Sequence, residues 1–149
     1  MSMLQETHPD GDLLRVHATG EFSLEEAKRN FLEMMEAVAA HSSKRVLVDG
    51  QTVTGNPRAM ERFLYGEFTA DAVTEHQTRS ASGPIRFACV LKEPVLDPKR
   101  FGETVAVNRG MLIRVFDNLE EAIHWLATTQ VAANSFCPSV PLARLFPLE

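Results

Sequence analysis

The stretch Val46-Leu47-Val48-Asp49-Gly50-Gln51-Thr52-Val53-Thr54-Gly55-Asn56-Pro57 decides the fold. Three consecutive aliphatic residues read as a strand covered on both faces, because such a strand needs apolar side chains on either side. The predicted strand runs from Lys44 to Asp49, and the glycine-bracketed segment Gly50 to Gly55 reads as a polar loop at its C-terminal end. Asn56 suits a helix N-cap, and Pro57 suits the first helical position, where a missing N–H is no loss. In open α/β sheets, ligands and partners gather where strand ends open into such loops.

Working outward, the same alternation recurs. Upstream, His8-Pro9-Asp10-Gly11 is a turn signal, and Leu14, Val16 and Ala18 alternate with Arg15 and His17 as in a half-buried strand. Residues 3–7 are placed to pair back as the other arm of a hairpin. Ser23 and Glu26 have capping-box spacing. Leu24, Ala27, Phe31, Met34, Met35 and Val38 then form the apolar face of a helix reaching about His41. Downstream, a helix after Pro57 is predicted to turn Met60, Phe63, Leu64 and Phe68 inward, with Gly66 as a weak point and residues 74–83 as a frayed end and loop. Ile85 to Leu91 reads as a central strand. Asp97-Pro98 repeats the cap-then-proline device ahead of a short helix carrying Phe101, Thr104, Val105 and Asn108, which Gly110 terminates. Met111 to Phe116 reads as a strand. Asp117 with Glu120, or Asn118 with Glu121, caps a last helix whose stripe is Leu119, Ala122, Ile123 and Leu126.

The order is β-β-α-β-α-β-α-β-α. Strands alternating with helices imply right-handed βαβ units, hence an α/β fold with a mixed sheet, an N-terminal β-hairpin and helices packed on the sheet. Residues 1–128 make one domain. The tail, residues 129–149, carries Pro138, Pro141 and Pro147 beside Phe136, Leu142, Leu145, Phe146 and Leu148. That apolar content predicts packing on the domain or on a second copy.

Composition narrows the function classes. The chain has 149 residues, 44% of them hydrophobic, and a formal charge of −5, which argues against a generic nucleic-acid binder. No run approaches the ~20 apolar residues of a membrane span. The N-terminus lacks the basic and apolar regions of an export signal. Two distant cysteines, Cys89 and Cys137, make neither a disulfide framework nor a metal-ligand pair, so a reducing cytoplasm is the simplest expectation. His8, His17, His41, His76 and His124 show no metal-ligand spacing, and no serine or cysteine sits in a nucleophile elbow. No metal or cofactor is expected.

The element order and the block VLVDGQTVTGNP leading into a helix resemble the STAS-type, SpoIIAA-like fold of anti-sigma-factor antagonists, in a divergent branch related to CRAL-TRIO lipid-binding domains. The segments KEPVLDPKRFGETVAVNRG and VFDNLEEAIHWL are similar to that branch, and the resemblance covers roughly residues 3 to 128. It implies a non-enzymatic regulatory domain that binds a protein partner, with a homodimer expected. The alternative it implies is a carrier holding a small apolar or anionic ligand between the helices and the strand ends. Members that switch partners carry an Asp-Ser-Ser-Gly-like sequence whose serine is phosphorylated. Here Thr52-Val53-Thr54-Gly55-Asn56-Pro57 stands instead, with Thr54 as the candidate phosphorylation site.

The candidate binding residues are Asp49, Thr52, Thr54, Asn56, Tyr65 and Arg109. Asp49, Thr52, Thr54 and Asn56 surround the predicted loop, where loop organisation and helix capping equally account for Asp49 and Asn56. Tyr65 and Phe68, near Arg58 and Arg62, are candidates for an exposed aromatic contact, against core packing for Phe68. Arg109 presents a planar fork suited to carboxylate or phosphate. Lys92, Glu93, Asn108 and Arg109 flank element ends from which they are expected to converge on the Gly50–Asn56 loop. An enzyme would need Asp49 to meet Arg109 or Lys92 in a cleft. No catalytic residue is assigned.

Overall fold

A computed structural model of the protein describes residues 3–80 and 83–128. The expectations for the tail, residues 129–149, lie outside the described residues. The elements follow the predicted order: β1 (Leu4–Asp10), β2 (Leu13–Glu21), α1 (Leu24–His41), β3 (Arg45–Thr54), α2 (Ala59–Ser80), β4 (Arg86–Leu91), α3 (Phe101–Asn108), β5 (Leu112–Phe116) and α4 (Leu119–Thr128). The five strands form one sheet in the order β1-β2-β3-β4-β5. The β1–β2 hairpin is antiparallel, and the other three pairings are parallel.

Successive crossovers between neighbouring parallel strands share one hand, which puts α1, α2 and α3 on a single face. There Leu14, Val16, Val46 and Phe87 from the strands bury against Phe31, Met34, Val38, Ala70, Val73 and Ala106 from the helices. The alternate strand positions Leu47, Ala88, Val90 and Phe116 point to the other face, where Ala122 and Leu126 of α4 cover them. Period-2 alternation along β3 and β4 thus feeds two cores from one sheet.

Several local expectations are borne out at atomic detail. Ser23 Oγ accepts the Glu26 N–H at 3.5 Å. The reciprocal half of the box is absent, since Glu26 Oε1 accepts from Met3 N–H at 2.7 Å. At α4 the cap is Asn118, whose Oδ1 accepts the Glu121 N–H at 3.0 Å. Gly110 closes α3 with φ of 97°.

Three expectations are corrected. The segment 50–54 is not a loop: β3 continues to Thr54 because the end of β2 overhangs it, pairing Thr19 with Thr52 and Glu21 with Thr54 beyond a register shift. Helix α2 begins at Ala59 and runs to Ser80, taking in residues assigned to the loop after Thr74. Its buried face is Gly66, Thr69, Ala70, Val73 and His76, while Met60 is 65% exposed. Small residues face inward there because α3 lies close against them. Likewise Ile123 of α4 and Phe101 of α3 are exposed rather than core.

Asp97 acts as a cap, but one turn before the helix, and Pro98 lies outside it. Its carboxylate accepts the Phe101 N–H at 3.0 Å and the Lys99 N–H at 3.1 Å. The Phe101 hydrogen bond is the leading cause that holds this acid below its ordinary value of 3.8, against a smaller opposing effect of desolvation. A carboxylate depressed by folding stabilises fully above its unfolded value and loses that contribution as pH falls through the folded value. Asp97→Ala is therefore expected to lose about 0.5–1 kcal/mol at pH 7, at the low end for a cap because the carboxylate is exposed. Urea denaturation should show the gap to wild type closing as the pH drops below 3.8.

Candidate functional site

Asp49 points to the face opposite α1, α2 and α3. Its Oδ1 accepts from Gln51 N–H at 3.3 Å and Gln51 Nε2 at 3.1 Å, and its Oδ2 lies 3.8 Å from His17 Nδ1 on β2. With Glu6, His8, Arg15, His17 and Leu47 it lines a depression of about 410 Å³ on the sheet. Beyond it, Val53 turns inward against Ala18 and Val95, so Thr52 and Thr54 turn outward. Their hydroxyls donate to Ala18 O and Gly20 O, each at 3.4 Å. Asn56 is exposed and is not the helix cap; Glu61 in the first turn instead reaches back, its Oε1 accepting the Arg58 N–H at 2.9 Å. Thr52, Thr54 and Asn56 are all exposed along the strip of chain that leaves the strand end, and Met60 is exposed in the first turn of α2.

Arg109 and Lys92 do not join this strip. Arg109 Nη2 lies 2.6 Å from Glu67 Oε2, and its Nη1 is 3.8 Å from Asp71, tying the end of α3 to α2. Arg109 precedes β5, whose Leu112 pairs with Arg86 at the start of β4, whereas Asp49 pairs with Val90 near the end of β4. Parallel strands therefore hold Asp49 and Arg109 at opposite ends of the sheet. Lys92 Nζ donates to Asp117 O at 2.7 Å. The expected convergence on one cleft is not observed.

Tyr65 is corrected as well. Instead of offering an exposed aromatic contact, it packs edge-on against Phe22 and Phe31, with ring centroids 6.3 and 6.4 Å away. Its side chain lines a cavity of about 190 Å³ between the inner face of the sheet and α1, α2 and α3. Asn30, Phe31, Met34, Phe87 and Cys89 also line it. Sequence reading missed Asn30; the available signal was a polar residue on the apolar face of α1 between Ala27 and Phe31.

Burial pushes the Cys89 thiol up to about 12, with the Glu103 and Asp49 carboxylates adding to the effect, and burial drives the Tyr65 phenol upward too. Relative to the ordinary value of 9.0, the Cys89 thiolate is about a thousandfold scarcer at pH 8. Peptide mapping after iodoacetamide treatment should find Cys89 unlabelled in the folded protein and labelled once urea unfolds it. Among the described residues, no group of three or more His, Cys, Asp or Glu is arranged to hold a metal ion.

Comparison with known proteins gives this geometry a family. A profile for SpoIIAA-like proteins matches residues 13–127. The chain belongs to the SpoIIAA-like family. No curated protein sequence matches it. The crystal structure of an anti-sigma factor antagonist from Mycobacterium paratuberculosis is similar over 85% of this chain and 95% of that one, at 13% identity and a TM-score of 0.52. An uncharacterized protein of the DUF3478 family with a SpoIIAA-like fold, from Shewanella loihica PV-4, is similar over 84% and 93%, at 15% identity and a TM-score of 0.48. At such identities the first likeness shows the fold alone. The carrier alternative and its CRAL-TRIO link draw no support from these matches. No helix among the described residues of this SpoIIAA-like protein is long and apolar enough to cross a membrane.

Proposed function

We propose that this SpoIIAA-like protein is a non-enzymatic regulatory domain that docks a protein partner on the strip formed by Thr52, Thr54 and Asn56, with Asp49 at its base. The observation that carries the reading is the outward turn of Thr52 and Thr54 at the end of β3, where their side chains contribute nothing to the core and their hydroxyls make only long bonds of 3.4 Å. Such a strip is free to be covered without unfolding anything. Thr54 is the candidate phosphorylation site. A phosphate there adds about −1.5 to −2 charge and removes the donor that Gly20 O accepts, which alters the docking surface directly. Tyr65 and Arg109 stand apart from this surface, one inside the core and one at the far end of the sheet.

The reading places the protein in the cytoplasm as a homodimer, with no cofactor or metal. Edge strand β1, hydrogen-bonded on one side only among the described residues and carrying the exposed Leu4, offers the second copy a place to pair. Light scattering should then report twice the chain mass of 16.6 kDa.

The test is affinity purification of the tagged protein from its own host, with quantitative mass spectrometry. Thr52→Arg, Thr54→Glu and Asn56→Arg are each expected to lose a partner that wild type and the exposed control Arg79→Ala retain. Equal recovery by the strip variants, or no specific protein with wild type, would overturn the proposal. Phosphopeptide mapping of the same sample reads Thr54.

A further inference from the structure

We propose that the cavity between the sheet and α1, α2 and α3 binds a compact, neutral, largely apolar molecule with one carbonyl oxygen, held by hydrogen bonds from Asn30 Nδ2 and the Tyr65 hydroxyl. This site is separate from the docking strip: it lies between the inner face of the sheet and the helices, with a mouth open to solvent, and the strip faces the other way.

Size comes first. The cavity measures about 190 Å³, and an apolar protein cavity of ~150 Å³ accepts benzene. One ring with a short substituent fits. A lipid chain does not, and drug-sized molecules usually need ~300 Å³ or more. The walls are apolar, with Phe31, Met34, Phe87, Met111 and Ile113 among them.

Polarity comes second. Asn30 is only 8% exposed, and its Nδ2 has no hydrogen-bond partner among the described residues. Buried donors are nearly always satisfied, so an orphan on a cavity wall points to an acceptor that enters from outside the chain. Tyr65, which also lines the cavity, brings a hydroxyl as the second polar group. The charged groups on the walls are already engaged: Arg100 Nη1 faces Glu103 Oε1 at 3.5 Å, Arg62 donates to the Pro57, Val95 and Pro94 carbonyls, and Asp97 accepts the Phe101 and Lys99 N–H groups. With these cations engaged among the described residues, a neutral molecule is the better occupant.

Methyl NMR of the methionines, titrated with acetophenone and with its hydrocarbon counterpart ethylbenzene, tests the site. The expected result is saturable shifts of the Met34 and Met111 methyls, with acetophenone bound about tenfold more tightly than ethylbenzene, the effect of one net hydrogen bond. Asn30→Leu should lower that ratio severalfold while ethylbenzene still binds. Tyr65→Phe, which keeps the ring and removes the hydroxyl, should lower the ratio severalfold and guards against a folding defect in the first variant. Absence of saturable shifts from both probes, or equal affinity for the two in wild type, would overturn the proposal.

Discussion

Phe87→Ala is expected to destabilise the protein by about 3–5 kcal/mol, the range for emptying a large aromatic site in a core. Phe87 is 1% exposed near the start of β4, and its ring lies 5.9 Å from that of Phe31 on α1. Two features place the effect near the top of the range. Val46, which pairs with Phe87 across β3 and β4, leaves the strand little room to shift. The lost ring also borders the existing cavity, so the new void joins the old one instead of collapsing. With domain stabilities of roughly 5–15 kcal/mol and urea slopes of about 1–3 kcal/mol per molar, the unfolding midpoint should fall by about 2 M. A drop below about 0.5 M would mean that this core is not packed as described.

Gly66→Val carries the second large effect, for the opposite reason. A β-carbon at Gly66 would sit 2.7 Å from the Gly102 carbonyl oxygen and 3.2 Å from Val105 Cβ. Alanine at this position gains about 1 kcal/mol of helix propensity, yet its methyl meets backbone that no rotamer change can move. Helices α2 and α3 must separate, loosening Ala106 in the core. A net loss of about 1–3 kcal/mol is expected for alanine, and more for valine. Gly83→Ala is the matched control. Its nearest neighbour is the end of the Lys44 side chain at 3.8 Å, so its midpoint should stay within about 0.5 kcal/mol of wild type. Stabilisation by Gly66→Ala would contradict the close approach of the two helices.

Gly66 also shows where sequence reading stops. A glycine inside a helical pattern signals that something comes near, and something does. That it is α3, and not a strand, depends on how far the β4–α3 connection reaches, which no local pattern records. The same limit explains α2. Its aromatic and methionine residues suggested one inward face, but the face that packs carries Gly66, Ala70 and Val73, because closeness to α3 outweighs side-chain hydrophobicity. Once that face is chosen, Tyr65 turns inward to meet Phe22 and Phe31.

At the candidate site, the outward set Thr52, Thr54 and Asn56 was legible as polar residues at a strand end, and Asp49 as an organiser of that end. Their secondary structure was not. The bracketing glycines Gly50 and Gly55 suggested a loop although Thr52, Val53 and Thr54 are β-branched, and the overhang of β2 supplies the partners that keep these residues extended. Arg109 was legible as a fork seeking an anion, and its anions proved to be Glu67 and Asp71 of the neighbouring helix.

By itself the sequence determined the order of elements, the buried strands and the cap at Ser23, and narrowed the cap of α4 to Asp117 or Asn118, because periodicity and capping act over a few residues. The tertiary structure alone decided the length of β3, the inward face of α2, the separation of Asp49 from Arg109 and the cavity beside Asn30. Each of those depends on residues distant in the chain that meet only when helices and sheet pack.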